Sequence, residues 1–322
     1  MHYLLLFLTV TCGLLSYGQN PKTVSLTKDT LLVIPKDIIK GFHHEYLLFI
    51  PKGTPIRKQT VLLVEPNNTG KTSDNIEVHK QSAIRSASVN GVGNNVATNL
   101  RIPFLVPVFP RPDSQPLVYS HALDRDVMVA DSPELKRLDL QLLAMIADAK
   151  NILRSLQIEV DTQFFMTGFS ASATFTNRFS FLHPEMIKAL AIGGFNGKLM
   201  LPEKQLNKVK LHYPIGTYDF EKLLQKPFDA ASFKKIPQYI YMGALDDNDA
   251  VQFDDAYNDT ERDLIKNNLG KQVQDRYLKC QEIYQQHQAN AVFKTYEDVG
   301  HWTTSVMNLD VTKFFLEQMK SK

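Results

Sequence analysis

Residues 163–180 read QFFMTGFSASATFTNRFS, and this stretch constrains the chain more than any other. A short apolar run, Phe164-Phe165-Met166, ends at Gly168-Phe169-Ser170-Ala171-Ser172, and small, helix-compatible residues follow at once. Such a run fits a buried strand, and the abrupt change of pattern fits a sharp turn into a helix. A serine at that turn points its hydroxyl away from the sheet, where a substrate can reach it. The glycine before it and the small residues after it let strand and helix approach closely. A turn with a capping serine gives the same pattern without any chemistry. The decision rests on whether an acid and a histidine follow in suitable settings.

The 322-residue chain is 43% hydrophobic and 22% charged, with a formal net charge of +2. That suits one large α/β domain or two small ones. Charges of both signs interleave, with no basic block to suggest a nucleic-acid partner and no acidic tail to suggest disorder. Residues 1–18, MHYLLLFLTVTCGLLSYG, carry no Lys, Arg, Asp or Glu, and His2 and the amino terminus are their only positive groups. The apolar run over 3–15 is short for a membrane span, and Ser16 and Gly18 place small residues where a signal peptidase needs them. A signal peptide cleaved before Gln19 is expected, hence a secreted or periplasmic protein with no stable membrane insertion afterwards. Cys12 and Cys280 are the only cysteines, so the mature chain would hold one thiol and no internal disulfide. Cys280 lies in a helical pattern between Lys279 and Gln281, without the partners of a cysteine nucleophile, and is expected to be a packed side chain.

After the leader, residues 23–26, 30–34 and 46–50 read as extended. Residues 61–64 form a continuous apolar strand, as expected when helices cover both faces of a sheet. It runs into Glu65-Pro66-Asn67-Asn68-Thr69-Gly70, a run dense in turn residues. Residues 102–109 are another strand, followed by a proline-stiffened loop with His121, Asp124, Arg125 and Asp126. His121 is either a pocket residue or, as is commoner, a surface or supporting side chain. Ser132-Pro133-Glu134 has the signature of a helix start and predicts a helix over 132–156, with Leu135, Leu138, Leu142, Met145, Ile146, Ala149 and Leu153 on its core stripe. A helix after the turn at Ser170 should end near His183-Pro184 and lead to a strand over 187–192, a parallel crossover. Residues 196–235 are polar and mixed, and read as an insertion or small cap over the site within a single domain, 19–322. A strand over 236–242 ends at Gly243-Ala244-Leu245-Asp246-Asp247-Asn248-Asp249. A charged helical region over 251–288, broken at Gly270, precedes a last strand over 291–296, the run Glu297-Asp298-Val299-Gly300-His301-Trp302, and a closing helix over 303–319. The fold class is α/β: a mostly parallel central sheet with helices on both faces. Asn67-Asn68-Thr69 and Asn258-Asp259-Thr260 match the glycosylation sequon.

A serine hydroxyl is a poor nucleophile at neutral pH and needs a base, itself oriented by a carboxylate. Ser170, an acid cluster and His301 each follow a strand, at the ends where an open α/β sheet builds its site. His301 stands out among nine histidines, after a glycine beyond the last strand and before a helix. His183 has the setting of a structural residue, His43 and His44 fall in an early strand region, and His287 falls in a helical one. No H-E-x-x-H or C-x-x-C spacing occurs, so neither metal nor other cofactor is expected.

GFSAS at a strand-turn-helix, GALDDND after a strand and VGHW before the last helix together resemble the α/β-hydrolases of the secreted esterase type, similar in layout to the polyhydroxybutyrate-depolymerase and feruloyl-esterase-like group. The resemblance covers essentially the whole mature chain. Two departures are Ser172, where the turn motif usually has its second glycine, and Pro66-Asn67-Asn68, where many members have His-Gly. The resemblance implies acyl transfer to water. Ser170 would be the nucleophile, His301 its base, and Asp246 the orienting acid, with Asp249 the alternative and Asp247 behind both. Backbone N–H groups of Asn67 or Asn68 and of Ala171 would form an oxyanion hole. The implied substrate is a small-molecule or polymeric carboxylic ester. The same residues would serve a serine peptidase or amidase. A non-catalytic hydrolase-fold binding protein is the rival from another class, and such proteins usually lose a triad member.

Overall fold

The computed structural model describes residues 24–89 and 91–320; the expected signal segment and Cys12 lie outside them. Eight strands form the central sheet: β1 (Thr30–Ile34), β2 (Tyr46–Ile50), β3 (Leu63–Val64), β4 (Phe104–Pro107), β5 (Phe164–Phe169), β6 (Ile187–Gly193), β7 (Gln238–Gly243) and β8 (Ala291–Tyr296). They lie in the order β1-β2-β4-β3-β5-β6-β7-β8. Strand β2 pairs antiparallel with β1 and β4, and every other pair is parallel.

Apolar runs such as YLLFI and FFMTGF bury both faces because alternate side chains feed two separate cores. Phe164 and Met166 join one core and Phe165 the other. On the first face lie α3 (Leu138–Ser155), α4 (Ala171–Leu182), α5 (Asp259–Leu269) and α6 (Val273–Gln286); on the second lie α1 (Ile76–Ser88), α2 (Val92–Leu100) and α7 (Ser305–Lys320). Gly270 separates α5 from α6 at φ 126°, as its place in the sequence predicts. Cys280 is buried in the first core, its Sγ 3.9 Å from the Leu199 carbonyl. Among the described residues no helix is long and apolar enough to cross a membrane.

Some element bounds differ from expectation. The strand over 61–64 narrows to Leu63–Val64. The helix expected from Ser132 starts six residues later, at Leu138. The Ser132 carbonyl accepts from both Leu135 and Lys136, and Arg137 then adopts φ 50°, which no helix continues through. Arg137 is held there by a bidentate pair with Asp139 at 2.9 and 2.8 Å, and His183 Nε2 meets the same carboxylate at 2.8 Å. Burial alone would raise Asp139, but these partners outweigh it and hold the carboxyl down at about 2. The 196–235 segment forms a two-residue-strand hairpin and two short helices, Phe220–Leu224 and Ala230–Lys235. It is tied to α4 and α6: Met200 N–H donates to Asn177 at 2.7 Å, and Tyr284 donates to the Met200 carbonyl at 2.9 Å.

Two buried acids sit close to the strand ends. Glu65, just past β3, accepts from the Gly93 N–H at 3.0 Å, and burial pushes its carboxyl up to about 7. Asp124 accepts from Tyr119 and Val127 N–H groups at 2.9 and 3.0 Å and is likewise pushed up to about 7 by burial. An acid whose folded value lies above its unfolded one stabilises the fold fully below the unfolded value, and loses that contribution as pH rises through the folded value. Replacing Glu65 by Gln should therefore raise stability at pH 8.5, by up to about 3 kcal/mol, and change little at pH 4.5. Urea midpoints at the two pH values measure this; an equal effect at both would contradict it.

Candidate active site

Ser170 is the single residue between β5 and α4, and its backbone sits at φ 62°, ψ −129°. L-residues rarely adopt that region, at a cost of about 1–3 kcal/mol. The Ser170 N–H donates to the Gly193 carbonyl at 3.0 Å, which ties the turn to the end of β6. A Cβ on Gly168 would lie 2.4 Å from the Ser172 carbonyl oxygen. Only glycine lets the first turn of α4 pass this close to β5. Ser172, where a second glycine is usual, uses its hydroxyl at this contact: Oγ accepts from the Phe169 N–H at 2.9 Å and donates to the Phe169 carbonyl at 2.8 Å.

The acid and the histidine follow β7 and β8, and the two loops are joined by backbone bonds. Ala244 N–H donates to the Tyr296 carbonyl at 2.8 Å and Leu245 N–H to the Val299 carbonyl at 2.9 Å. A Cβ on Gly243 would fall 2.1 Å from the Val299 carbonyl, so this junction also requires glycine. It brings Asp246 and His301 together: Nδ1 lies 3.0 Å from each carboxylate oxygen. A carboxylate accepts, so Nδ1 carries the proton and Nε2 is left with its lone pair. Asp246 is buried, while His301 keeps 26% of its side-chain surface. The Phe169 ring packs beside the imidazole with centroids 5.0 Å apart.

The competing acids have other partners. Asp249 pairs with the fully buried Arg276 at 2.6 Å and caps Val251 N–H at 3.0 Å, and Asp247 is exposed. Three other histidines are engaged elsewhere. His44 Nε2 lies 2.7 Å from the Glu134 carbonyl, His183 contacts Asp139, and His287 meets Glu203 at 2.7 Å.

Ser170 and His301 line one cleft of about 830 Å³. Asn68, Gly70 and Thr72 reach it from the loop after β3, and Arg111, Pro116, Leu117 and Tyr119 from the loop after β4. Phe253, Asp254 and Asp255 form the wall beyond β7, and Asn196 is the one residue of the 196–235 segment that lines the cleft. Arg111 spans the two walls, pairing with Asp255 at 2.5 Å while its guanidinium lies 3.9 Å from the Tyr119 ring centre. Leu117 and Phe253 are apolar yet 56% and 63% exposed.

The residues expected to supply backbone donors separate. Asn67 is buried behind the cleft, its amide donating to the Phe109 carbonyl at 2.9 Å and accepting from the Phe109 N–H at 3.0 Å. That amide has no room for a glycan, whereas Asn258 is exposed and caps α5 through its side-chain oxygen. Asn68 is the neighbour on the cleft. His121 is fully buried, with Nε2 2.9 Å from the Phe109 carbonyl, and burial pushes it down to about 3, so it stays neutral and supports the loop. Ala171 opens α4 directly after Ser170, in the first turn where helix N–H groups lack intrahelical acceptors.

No protein-family model and no curated protein matches the chain in sequence. Solved structures match it in shape. A poly(aspartic acid) hydrolase-1 from Sphingomonas sp. KT-1 superposes with a TM-score of 0.58 at 16% identity, over 89% of this chain and 98% of that one. LpqC, a poly(3-hydroxybutyrate) depolymerase from Bordetella parapertussis, gives 0.57 at 16% identity, over 92% of each chain. A ferulic acid esterase gives 0.51 at 10% identity, over 91% of this chain and 98% of that one. The fold is that of the α/β-hydrolases.

Sequence reasoning missed the Arg111–Asp255 pair and the Ser172 clamp. The first joins residues 144 apart with no local pattern. The second had a signal, since a hydroxyl stood where the motif usually has a glycine. Asp249→Asn should cost about 3–5 kcal/mol by leaving Arg276 buried without its partner, while the His301–Asp246 contact persists. A thermal midpoint equal to that of the unmodified protein would contradict this assignment.

Proposed function

We propose that the protein is a serine hydrolase that cleaves a carboxylic ester through an acyl-serine intermediate. The observation that carries this reading is the buried Asp246 carboxylate on His301 Nδ1, at the same cleft as a serine on a strained strand-to-helix turn. With the proton fixed on Nδ1, Nε2 takes the Ser170 proton as Oγ attacks the ester carbonyl carbon. The imidazolium that forms is stabilised by Asp246 and returns its proton to the leaving alkoxide as the C–O bond breaks. Water then attacks the acyl-serine, His301 takes its proton, and the acid and free Ser170 are released.

Negative charge develops on the carbonyl oxygen in both steps. The Ala171 N–H supports it as one donor, aided by the positive end of α4. For the second donor we infer Asn68 in place of Asn67, since Asn68 lines the cleft. Leu117 and Phe253 favour an apolar portion of the substrate, and the Arg111–Asp255 pair faces it with polar groups. The charge-free apolar leader over 1–18 supports export to a secreted or periplasmic location.

Ser170→Ala should lower kcat for p-nitrophenyl butyrate by about 10^4–10^6-fold, and Asp246→Asn by about 10^4-fold, with thermal midpoints of folded protein retained for Ser170→Ala. A Ser170→Ala variant that turns over at the full rate would reject Ser170 as nucleophile.

A further inference from the structure

Ser172 occupies the position at which the turn motif usually carries a second glycine, and it is almost fully buried. Its hydroxyl makes two bonds to one residue. It accepts from the Phe169 N–H and donates to the Phe169 carbonyl, at 2.9 and 2.8 Å. That carbonyl belongs to the peptide plane leading into Ser170, so the clamp acts on the torsions that set φ 62° at the serine. Phe169 also lines the cleft, and its ring lies 5.0 Å from the His301 imidazole at an interplanar angle of 39°. The imidazole is thus held at two places: by the Asp246 carboxylate at Nδ1, and by the tilted Phe169 ring beside it.

We propose that Ser172 is a positioning residue that fixes both Ser170 and His301 through Phe169. The hydroxyl locks the Phe169–Ser170 peptide, and through the Phe169 ring it sets the tilt of the imidazole, without touching substrate. A glycine at this position has no side chain to make either bond. The functional part of this inference rests on the reading of Ser170 as nucleophile and His301 as base. Near-attack geometry is demanding enough that a displacement of about 1 Å costs about 10²-fold in rate.

The test compares Ser172→Ala and Ser172→Gly with the unmodified protein and with Ser170→Ala. For p-nitrophenyl butyrate, both Ser172 variants should lose about 10- to 100-fold in kcat with little change in KM. The His301 ring-proton resonances, assigned by their loss in His301→Ala, should shift as the Phe169 ring current moves. Thermal midpoints give the purely structural effect. Wild-type kcat with unchanged His301 resonances in both variants would overturn the proposal, and so would a lowered midpoint with kcat and resonances preserved. Full activity of Ser170→Ala would instead remove the catalytic reading. The His301 resonances would then still decide whether Ser172 sets the imidazole, because they are read without substrate.

Discussion

Ser170 holds φ 62° because three elements meet at one residue and leave it no alternative. Its N–H is tied to the end of β6 at Gly193, α4 begins at the next residue, and Gly168 lets the helix pass within van der Waals range of β5. Relaxing the turn would break the β6 tie or push the helix off the sheet. The strain of about 1–3 kcal/mol is small beside the packing of Phe164, Phe165 and Met166 into two cores. A parallel sheet buried on both faces can therefore keep a local outlier at its end, and that outlier carries a hydroxyl into an open cleft.

The second convergence depends on backbone, not on side chains. Loops after β7 and β8 are zipped by Ala244 and Leu245 N–H groups onto Tyr296 and Val299 carbonyls, and Gly243 makes the approach possible. Asp246 and His301 meet because the strands that launch them are neighbours. Charged groups elsewhere do different work. Asp249 serves the buried Arg276, and Asp139 serves Arg137 and His183. Of three acids in the same short run, Asp246 reaches the imidazole, Asp249 braces the fold, and Asp247 faces water.

Much of this was legible from sequence wherever apolar period and chain punctuation agreed. The TLLVI, YLLFI and AVFKTY strands lie where their runs place them, and Gly270 divides two helices as expected. The preference for Asp246 over Asp249 came from the family resemblance, not from the local residues. Ser132-Pro133-Glu134 misled because a valid helix-start signature was overridden by a remote demand: Arg137 N–H bonds the Val127 carbonyl, and its guanidinium serves Asp139. Asn67 and Asn68 were indistinguishable by sequence, and the structure tells their side chains apart: Phe109 takes both amide functions of Asn67, while Asn68 lines the cleft.

The central claim is that the hydroxyl of Ser170, among all the hydroxyls of this chain, is the one made nucleophilic. Incubation of the purified protein with a fluorophosphonate, followed by mass spectrometry of its peptides, tests this directly. The account predicts one adduct per chain, on the peptide containing Ser170, formed in the native protein and absent after unfolding. No adduct under these conditions, or an adduct on a different serine, would contradict it.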